Sequence, residues 1–167
     1  DDPYWYQPGH PIKPAEARAI QTLPGFQADK VLTVPEELGS WTAIGVDQHG
    51  RLLCAAQHKP GIYRVTVPSP DSETSEAQVE KLKGAAEQMG WSHGLLVAFD
   101  SLYVTVAEGN DSVEGGVYRL RDTNGDDQYD ELTQLFELNL SGEHGPHNIV
   151  VGPDGESLYM MCGNGTQ

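Results

Sequence analysis

The chain has 167 residues and a formal net charge of −15, from 25 acidic against 10 basic side chains. This excess of negative charge disfavours nucleic acid and anionic membranes as partners, because both repel an acidic surface. The sequence has no apolar run of about 18 residues or more, so no membrane span is predicted.

The first segment, residues 1–25, is predicted to be an extended arm with one short helix. Four prolines surround a cluster of aromatic residues, and proline disrupts regular strand pairing. Pro14 suits the first turn of a helix, so a short helix is predicted over Ala15 to Gln21. Residues 26–167 are predicted to form the folded domain. Within it, Ala28 to Val34 are predicted to be the outer strand of a blade that a missing C-terminal part of the protein completes.

Three similar hairpins follow one another along the rest of the chain. In each, an apolar run ends at a turn that contains an aspartate, and a second apolar run follows. The turn aspartates are Asp47, Asp100 and Asp154, spaced 53 and 54 residues apart. A third strand recurs as Gly61 to Val65 and as Gly116 to Leu120.

A repeat of about 40–50 residues with about four short strands is typical of a β-propeller blade. The predicted fold is therefore all-β, a β-propeller of four-stranded antiparallel blades of which about three are present. The alternative is a β-sandwich with similar hairpins, although sandwiches seldom repeat in register. Because a propeller needs at least about four blades to close, we expect the remaining blades, or another protein chain, to complete the ring. Residues Ala77 to Leu82 fit either a strand or a short helix.

An acidic loop precedes Leu132 to Leu138, the predicted fourth strand of the second repeat. It places oxygen donors at alternate positions, and calcium prefers about six to eight oxygen ligands. The loop departs from EF-hand loops at Asp127 and Thr133, where those loops carry glycine and glutamate. The alternative is a solvated acidic turn. The predicted calcium ligands are Asp122, Asn124, Asp126, the Gln128 backbone carbonyl and Asp130.

Histidines mark the predicted start of the innermost strands. Counting seven residues back from the three turn aspartates gives Ser40, His93 and His147, which are predicted to lie beside a central channel. His144 is unique to the third repeat and follows an acidic neighbour, Glu143. A histidine with an adjacent acid can act as a general base near neutral pH. The alternative is that His144 and His147 only hydrogen-bond the loop backbone.

The segment from His144 to Asp154 resembles the signature of the glucose/sorbosone dehydrogenase family. In that family a histidine stands eight residues before a Gly-Pro-Asp turn, a spacing that His144 and Gly152 meet. The resemblance implies a six-bladed propeller that oxidises sugars with pyrroloquinoline quinone and calcium. It also implies that His144 accepts the hydroxyl proton while hydride passes to the quinone.

The chain is also similar, from Leu23 onward, to the large secreted dehydrogenase-like propellers of the PVC type, which are often fused to a c-type haem domain. Asn148 stands where the sugar dehydrogenases usually carry arginine, and His147 replaces a glycine. The matching segments include Leu23–Phe26, Ala98–Val104, Tyr118–Asp126 and Gly142–His147.

The resemblance thus implies part of a periplasmic or extracellular propeller that acts as a quinone-dependent dehydrogenase of sugars or alcohols. The predicted catalytic residues are His144, Glu143 and His147, and the predicted cofactor contacts are His93 and Asn148. The alternative is a non-catalytic propeller, stabilised by calcium, that serves as a binding or scaffold subunit of a larger assembly. Both interpretations stay open at this point.

Overall fold

The computed structural model of the chain describes residues 21–58, 61–69, 76–138, 144–164 and 166. The chain divides into a compact unit of residues 1–33 and a larger unit of residues 34–167. The arm and most of the helix predicted at the N-terminus lie outside the described residues.

The described part of the first unit, residues 21–33, has no regular secondary structure. Its one tight turn is closed by a hydrogen bond of 3.1 Å from the Phe26 amide to the Leu23 carbonyl. The structure assigns no strand to Ala28 to Val34, whose predicted pairing partners belong to a part of the blade that this sequence does not contain. These residues pair with no strand in the described part of the chain, and an extended segment without a pairing partner does not become a strand.

The larger unit contains ten β-strands and no α-helix among its described residues. The strands are β1 (Trp41–Val46), β2 (Leu52–Ala56), β3 (Ile62–Thr66), β4 (Gln78–Lys81), β5 (Ser92–Ala98), β6 (Ser101–Val106), β7 (Gly116–Arg121), β8 (Glu131–Glu137), β9 (Pro146–Val151) and β10 (Leu158–Cys162). Short 3-10 turns cover Glu36–Leu38 and Ala85–Gln88.

These strands form three antiparallel sheets in chain order. Two sheets have four strands, β1-β2-β3-β4 and β5-β6-β7-β8, and the third pairs β9 with β10. The predicted all-β fold with four-stranded antiparallel sheets is confirmed. The ambiguous segment around Ala77 to Leu82 forms the fourth strand of the first sheet, and the predicted fourth strand of the second sheet is present as β8.

The hairpin turns follow their local chemistry. Asp47 and Asp154 each accept hydrogen bonds from backbone amides of their own turn. The β5–β6 turn has only two residues, Phe99 and Asp100, and both have φ of 51°. Positive φ at both central residues matches the twist of the flanking strands and is typical of a type I′ hairpin turn.

The second and third sheets each pack through their first strand against the first two strands of the preceding sheet. β5 packs against β1 and β2, and β9 packs against β5 and β6. Leu53, Leu95 and Leu102 belong to the main core cluster, and Tyr103 and Ile149 belong to a second cluster that joins the second and third sheets. The inner strands β1, β5 and β9 are therefore successive neighbours.

Candidate functional site

The same backbone hydrogen bond closes the start of all three hairpins. The amides of Gln57, Ala107 and Gly163 donate to the carbonyls of Ser40, Trp91 and Gly145, each at 2.9 Å. These three acceptors are therefore equivalent positions of the repeat. Two residues beyond each acceptor lie, in order, Thr42, His93 and His147.

This equivalence corrects one prediction made from the turn aspartates. The first-repeat counterpart of His93 is Thr42, and Ser40 precedes it by two residues. The cause is turn length, because Asp47 directly follows strand β1 whereas Asp100 and Asp154 stand later in their turns. Counting back from the aspartate therefore overshoots the strand start in the first repeat.

His93 and His147 lie face to face at the start of two neighbouring sheets. Their ring centroids are 5.3 Å apart and their planes differ by 11°. His93 lies where the pairing of β5 with β6 shifts register, between Ser92 and Gly94. A bulge of this kind inserts an extra residue and redirects its side chain, and bulges are common beside functional sites.

The backbone of His147 is held against the second sheet by Thr105. The Thr105 hydroxyl, fully buried on β6, donates a 2.7 Å hydrogen bond to the His147 carbonyl. Gly94 makes this close approach possible, because a Cβ atom at that position would overlap the His147 carbonyl oxygen. A similar contact joins the first two sheets, where the Thr42 hydroxyl donates to the Ser92 carbonyl at 3.3 Å.

The two stacked histidines line a cavity of about 370 Å³. We call it the histidine cavity, and its lining residues are Thr42, Gln57, His93, His144 and His147. The structure thus brings together three of the predicted site residues, all of them histidines. His144 is exposed and lies in the short turn that leads into β9.

Two other predicted site residues are not among those that line the histidine cavity. Asn148 is exposed, is absent from the cavity lining, and its side-chain oxygen accepts a 3.0 Å hydrogen bond from the Ile149 amide. Glu143 lies outside the described residues. Sequence reasoning missed Thr42 and Gln57, because their place at the cavity follows from sheet packing rather than from a motif.

The chemistry of the histidine cavity suits a small polar ligand. Imidazole nitrogens accept and donate protons near neutral pH. The Thr42 hydroxyl and the Gln57 amide add donors and acceptors of the kind that bind hydroxyl groups. The stacked rings of His93 and His147 line the cavity beside them.

The acidic loop is curled by hydrogen bonds from its own amides to its own side chains. Asp122 accepts from the amides of Gly125 and Asp127, at 2.7 and 2.8 Å. Asp126 accepts from the Gln128 amide at 3.0 Å, and Asp130 accepts from Thr123. Within the part of the chain that the structure describes, no three His, Cys, Asp or Glu side chains are grouped as metal ligands. Calcium binding by this loop stays a prediction.

Asp127, which was not predicted as a ligand, joins the loop to the first sheet. Its carboxylate oxygens receive hydrogen bonds of 2.6 and 2.9 Å from the two terminal nitrogens of Arg51. Arg64 donates to the Asp127 carbonyl at 2.7 Å and to its carboxylate at 3.1 Å. We call this group the Asp127 clamp, formed by Asp127, Arg51 and Arg64.

The clamp continues inward to Asp47, whose side chain is only 2% exposed. Arg51 Nε donates to Asp47 at 2.7 Å. Burial by itself would raise the pKa of Asp47, but hydrogen bonds from the Arg51 amide and guanidinium outweigh it and hold the pKa below its ordinary value. The Arg51 guanidinium also lowers the pKa of Asp127, against the effect of burial. Both carboxylates are therefore charged at neutral pH.

A second cavity, of about 470 Å³, lies at the other end of the inner strands β1 and β5. Asp47, Asp122 and Asp127 contribute to its lining, together with Phe99 and Tyr129. Burial raises the pKa of Tyr129 to about 12, so this phenol stays protonated at neutral pH. The histidines and the acidic loop thus lie at different ends of the inner strands.

Comparison of the chain with protein families, curated proteins and solved structures found no match. Among the described residues there is no helix long and apolar enough to cross a membrane.

Proposed function

We propose that this chain is part of an extracytoplasmic β-propeller that oxidises sugars or alcohols with a quinone cofactor. The observation that carries the proposal is the histidine cavity, in which His93, His144 and His147 from two successive sheets line one space. Propellers commonly build their sites where the inner strands begin, and these histidines stand at or just before that point in β5 and β9.

The propeller itself is supported by the way the repeats recur in space. Successive antiparallel sheets follow the chain order, their first strands are neighbours, and one hydrogen-bond pattern closes all three hairpins. A β-sandwich would instead pack two sheets face to face, with its strands divided between them. Further blades, in this polypeptide or in another, would complete the ring.

In this proposal His144 removes the hydroxyl proton of the substrate. Thr42 and Gln57 hold substrate hydroxyl groups by hydrogen bonds, and the stacked His93–His147 pair contacts the cofactor from the cavity wall. A quinone, when bound, would accept the hydride from the carbon that bears this hydroxyl group, so that the alcohol becomes a carbonyl and the quinone is reduced by two electrons. Because His144 is exposed to solvent and also lines the cavity, a substrate reaches it without displacement of the sheets.

Replacing His144 with alanine is expected to lower the oxidation rate by about 10²- to 10⁴-fold, the usual effect of removing a general base. The measurement is dye-linked oxidation of a panel of sugars and alcohols by the full chain with added pyrroloquinoline quinone. His49→Ala is the matched control, since His49 lies in the β1–β2 turn and does not line the histidine cavity. Equal rates for the wild type and His144→Ala would refute the role of His144.

A second candidate function is that of a non-catalytic scaffold subunit. The observation that favours it is the connection between the first two sheets through the Asp127 clamp, none of whose residues lines the histidine cavity. A chain without turnover on any substrate, but with an acidic loop stiffened by calcium, would fit this candidate.

Calcium is proposed to bind the acidic loop through Asp122, Asn124, Asp126, the Gln128 carbonyl and Asp130. Calcium at about 100 times its Kd would stabilise the folded state by about 2.7 kcal/mol. We expect calcium to raise the midpoint of thermal unfolding relative to chelator, and Asp126→Ala to remove most of that rise. Asp154→Ala is the control, because it alters an aspartate turn outside the loop. If both variants respond to calcium like the wild type, the loop is only an acidic turn.

A further inference from the structure

Among the described residues, the first and the last sheet each carry exposed apolar side chains. On the first sheet, Ile44 and Val46 of β1 are 66% and 57% exposed. On the last sheet, Val150 of β9 and Tyr159 and Met161 of β10 are 47%, 57% and 63% exposed. We call these the β1 face and the β10 face. Large apolar side chains gathered on one face in this way mark an interaction surface.

The β1 face is the counterpart of two surfaces that are already in contact inside the chain. Strand pairing places Ile44 opposite Cys54, Leu95 opposite Val104 and Ile149 opposite Met160, so Ile44, Leu95 and Ile149 are equivalent. Leu95 is 6% exposed and Ile149 is 3% exposed, because each packs against the preceding sheet. Ile44 has no preceding sheet to cover it in the described part of the chain.

The β10 face is the counterpart of the surfaces that receive those side chains. Leu53, Tyr103 and Tyr159 occupy equivalent positions in the second strand of each hairpin. Leu53 is fully buried in the cluster that contains Leu95, and Tyr103 is 7% exposed in the cluster that contains Ile149. Of these three side chains, only that of Tyr159 is exposed to solvent.

We propose that the β1 face of one copy of this chain docks on the β10 face of a second copy. Each copy carries both halves of an interface that the chain forms twice internally, through the first two strands of each sheet. In the described part of the third sheet these two strands are β9 and β10, which carry the β10 face. The contact is head-to-tail, and it forms a closed pair or a longer row according to the rotation between copies.

The net charge of −15 sets the conditions for this association. Two copies with this charge repel each other in dilute buffer, and added salt screens the repulsion. Association is therefore expected to strengthen with salt, as an apolar contact between like-charged chains does.

The test is sedimentation velocity with light scattering over a wide range of protein concentration, in moderate salt. The wild type is expected to associate, and Ile44→Glu or Met161→Glu to raise the dissociation constant at least about tenfold. Phe136→Glu is the matched control, since Phe136 on β8 is 61% exposed but belongs to neither face. It should associate like the wild type.

Mixing the two variants distinguishes this contact from nonspecific adhesion. Ile44→Glu keeps an intact β10 face and Met161→Glu keeps an intact β1 face, so an equimolar mixture should form the one pair that joins them. A wild type that is monomeric at every concentration would overturn the proposal. So would equal weakening by Phe136→Glu, or a mixture that fails to associate when each variant alone unfolds cooperatively like the wild type.

Discussion

Replacing Asp127 with alanine is expected to lower the free energy of unfolding by about 2 kcal/mol, since its carboxylate is 45% exposed and solvent weakens its ion pairs. The substitution removes three hydrogen bonds between charged groups, two from Arg51 and one from Arg64. It also leaves Arg64, whose side chain is only 4% exposed, with less compensation for its buried charge. Arg64 keeps Asp47 and Glu80 as ion-pair partners, so its charge is only partly uncompensated in the variant. Chemical denaturation of both proteins in the presence of chelator measures the difference.

Asp126→Ala is the control for the Asp127 substitution. Asp126 precedes Asp127 in the same loop, but within the described residues its carboxylate accepts a hydrogen bond from the Gln128 amide alone. Its loss should therefore cost about 1 kcal/mol or less in chelator. An equal loss for both variants would show that the clamp contributes no more than the turn does.

The clamp also predicts how stability changes with pH. The pKa values of Asp47 and Asp127 are lowered in the folded state, so their contribution is complete above the unfolded value of about 3.9. It is lost as the pH falls through the lower folded values. Between neutral pH and about 4 the free energy difference between wild type and Asp127→Ala should stay constant, and below that it should shrink.

Replacing Gly94 with alanine is expected to destabilise the fold by about 3 kcal/mol and to displace β9. The new Cβ would overlap the His147 carbonyl oxygen and lie 2.7 Å from the Thr105 hydroxyl oxygen, so the second and third sheets must separate. The stacked pair of His93 and His147 would separate with them. Denaturation and the imidazole NMR signals of both histidines measure the two effects.

Gly45→Ala serves as the control for this substitution. Gly45 faces the other boundary between sheets, where a Cβ atom would lie 3.1 Å from the Leu95 carbonyl and 3.2 Å from its Cβ. A small shift relieves contacts of that length, so we expect a smaller loss and unchanged histidine signals. Undisturbed histidine signals in Gly94→Ala would contradict the close approach described here.

The hairpins and their repeat could be predicted because each depends on local chemistry. Alternating apolar runs, turn aspartates and the recurring Tyr63 and Tyr118 strands are all visible in one sequence. The equivalence of Thr42 with His93 and His147 could not be read from aspartate spacing. Turns of unequal length shift the aspartate relative to the strand, and only the closing hydrogen bonds fix the register.

The contacts of the Asp127 clamp could not be predicted from local sequence either, but for a different reason. Asp127 is 76 residues from Arg51 and 63 residues from Arg64, so their contact follows from the packing of two sheets. The sequence showed an excess of carboxylates in the loop and predicted a metal ion as the compensating charge. Part of that compensation comes from two arginines of the neighbouring sheet. A partial signal was Arg64 itself, a charged residue within an apolar third strand.

The measurement that tests the central claim most directly is the histidine NMR spectrum of the full chain during titration with pyrroloquinoline quinone. If the histidine cavity is the binding site, the imidazole signals of His93, His144 and His147 will shift together and saturate at one ligand concentration. The signals of His49 and His58, which do not line that cavity, will stay in place. A spectrum in which the three cavity histidines do not move, or move no more than His49 and His58, would contradict the account.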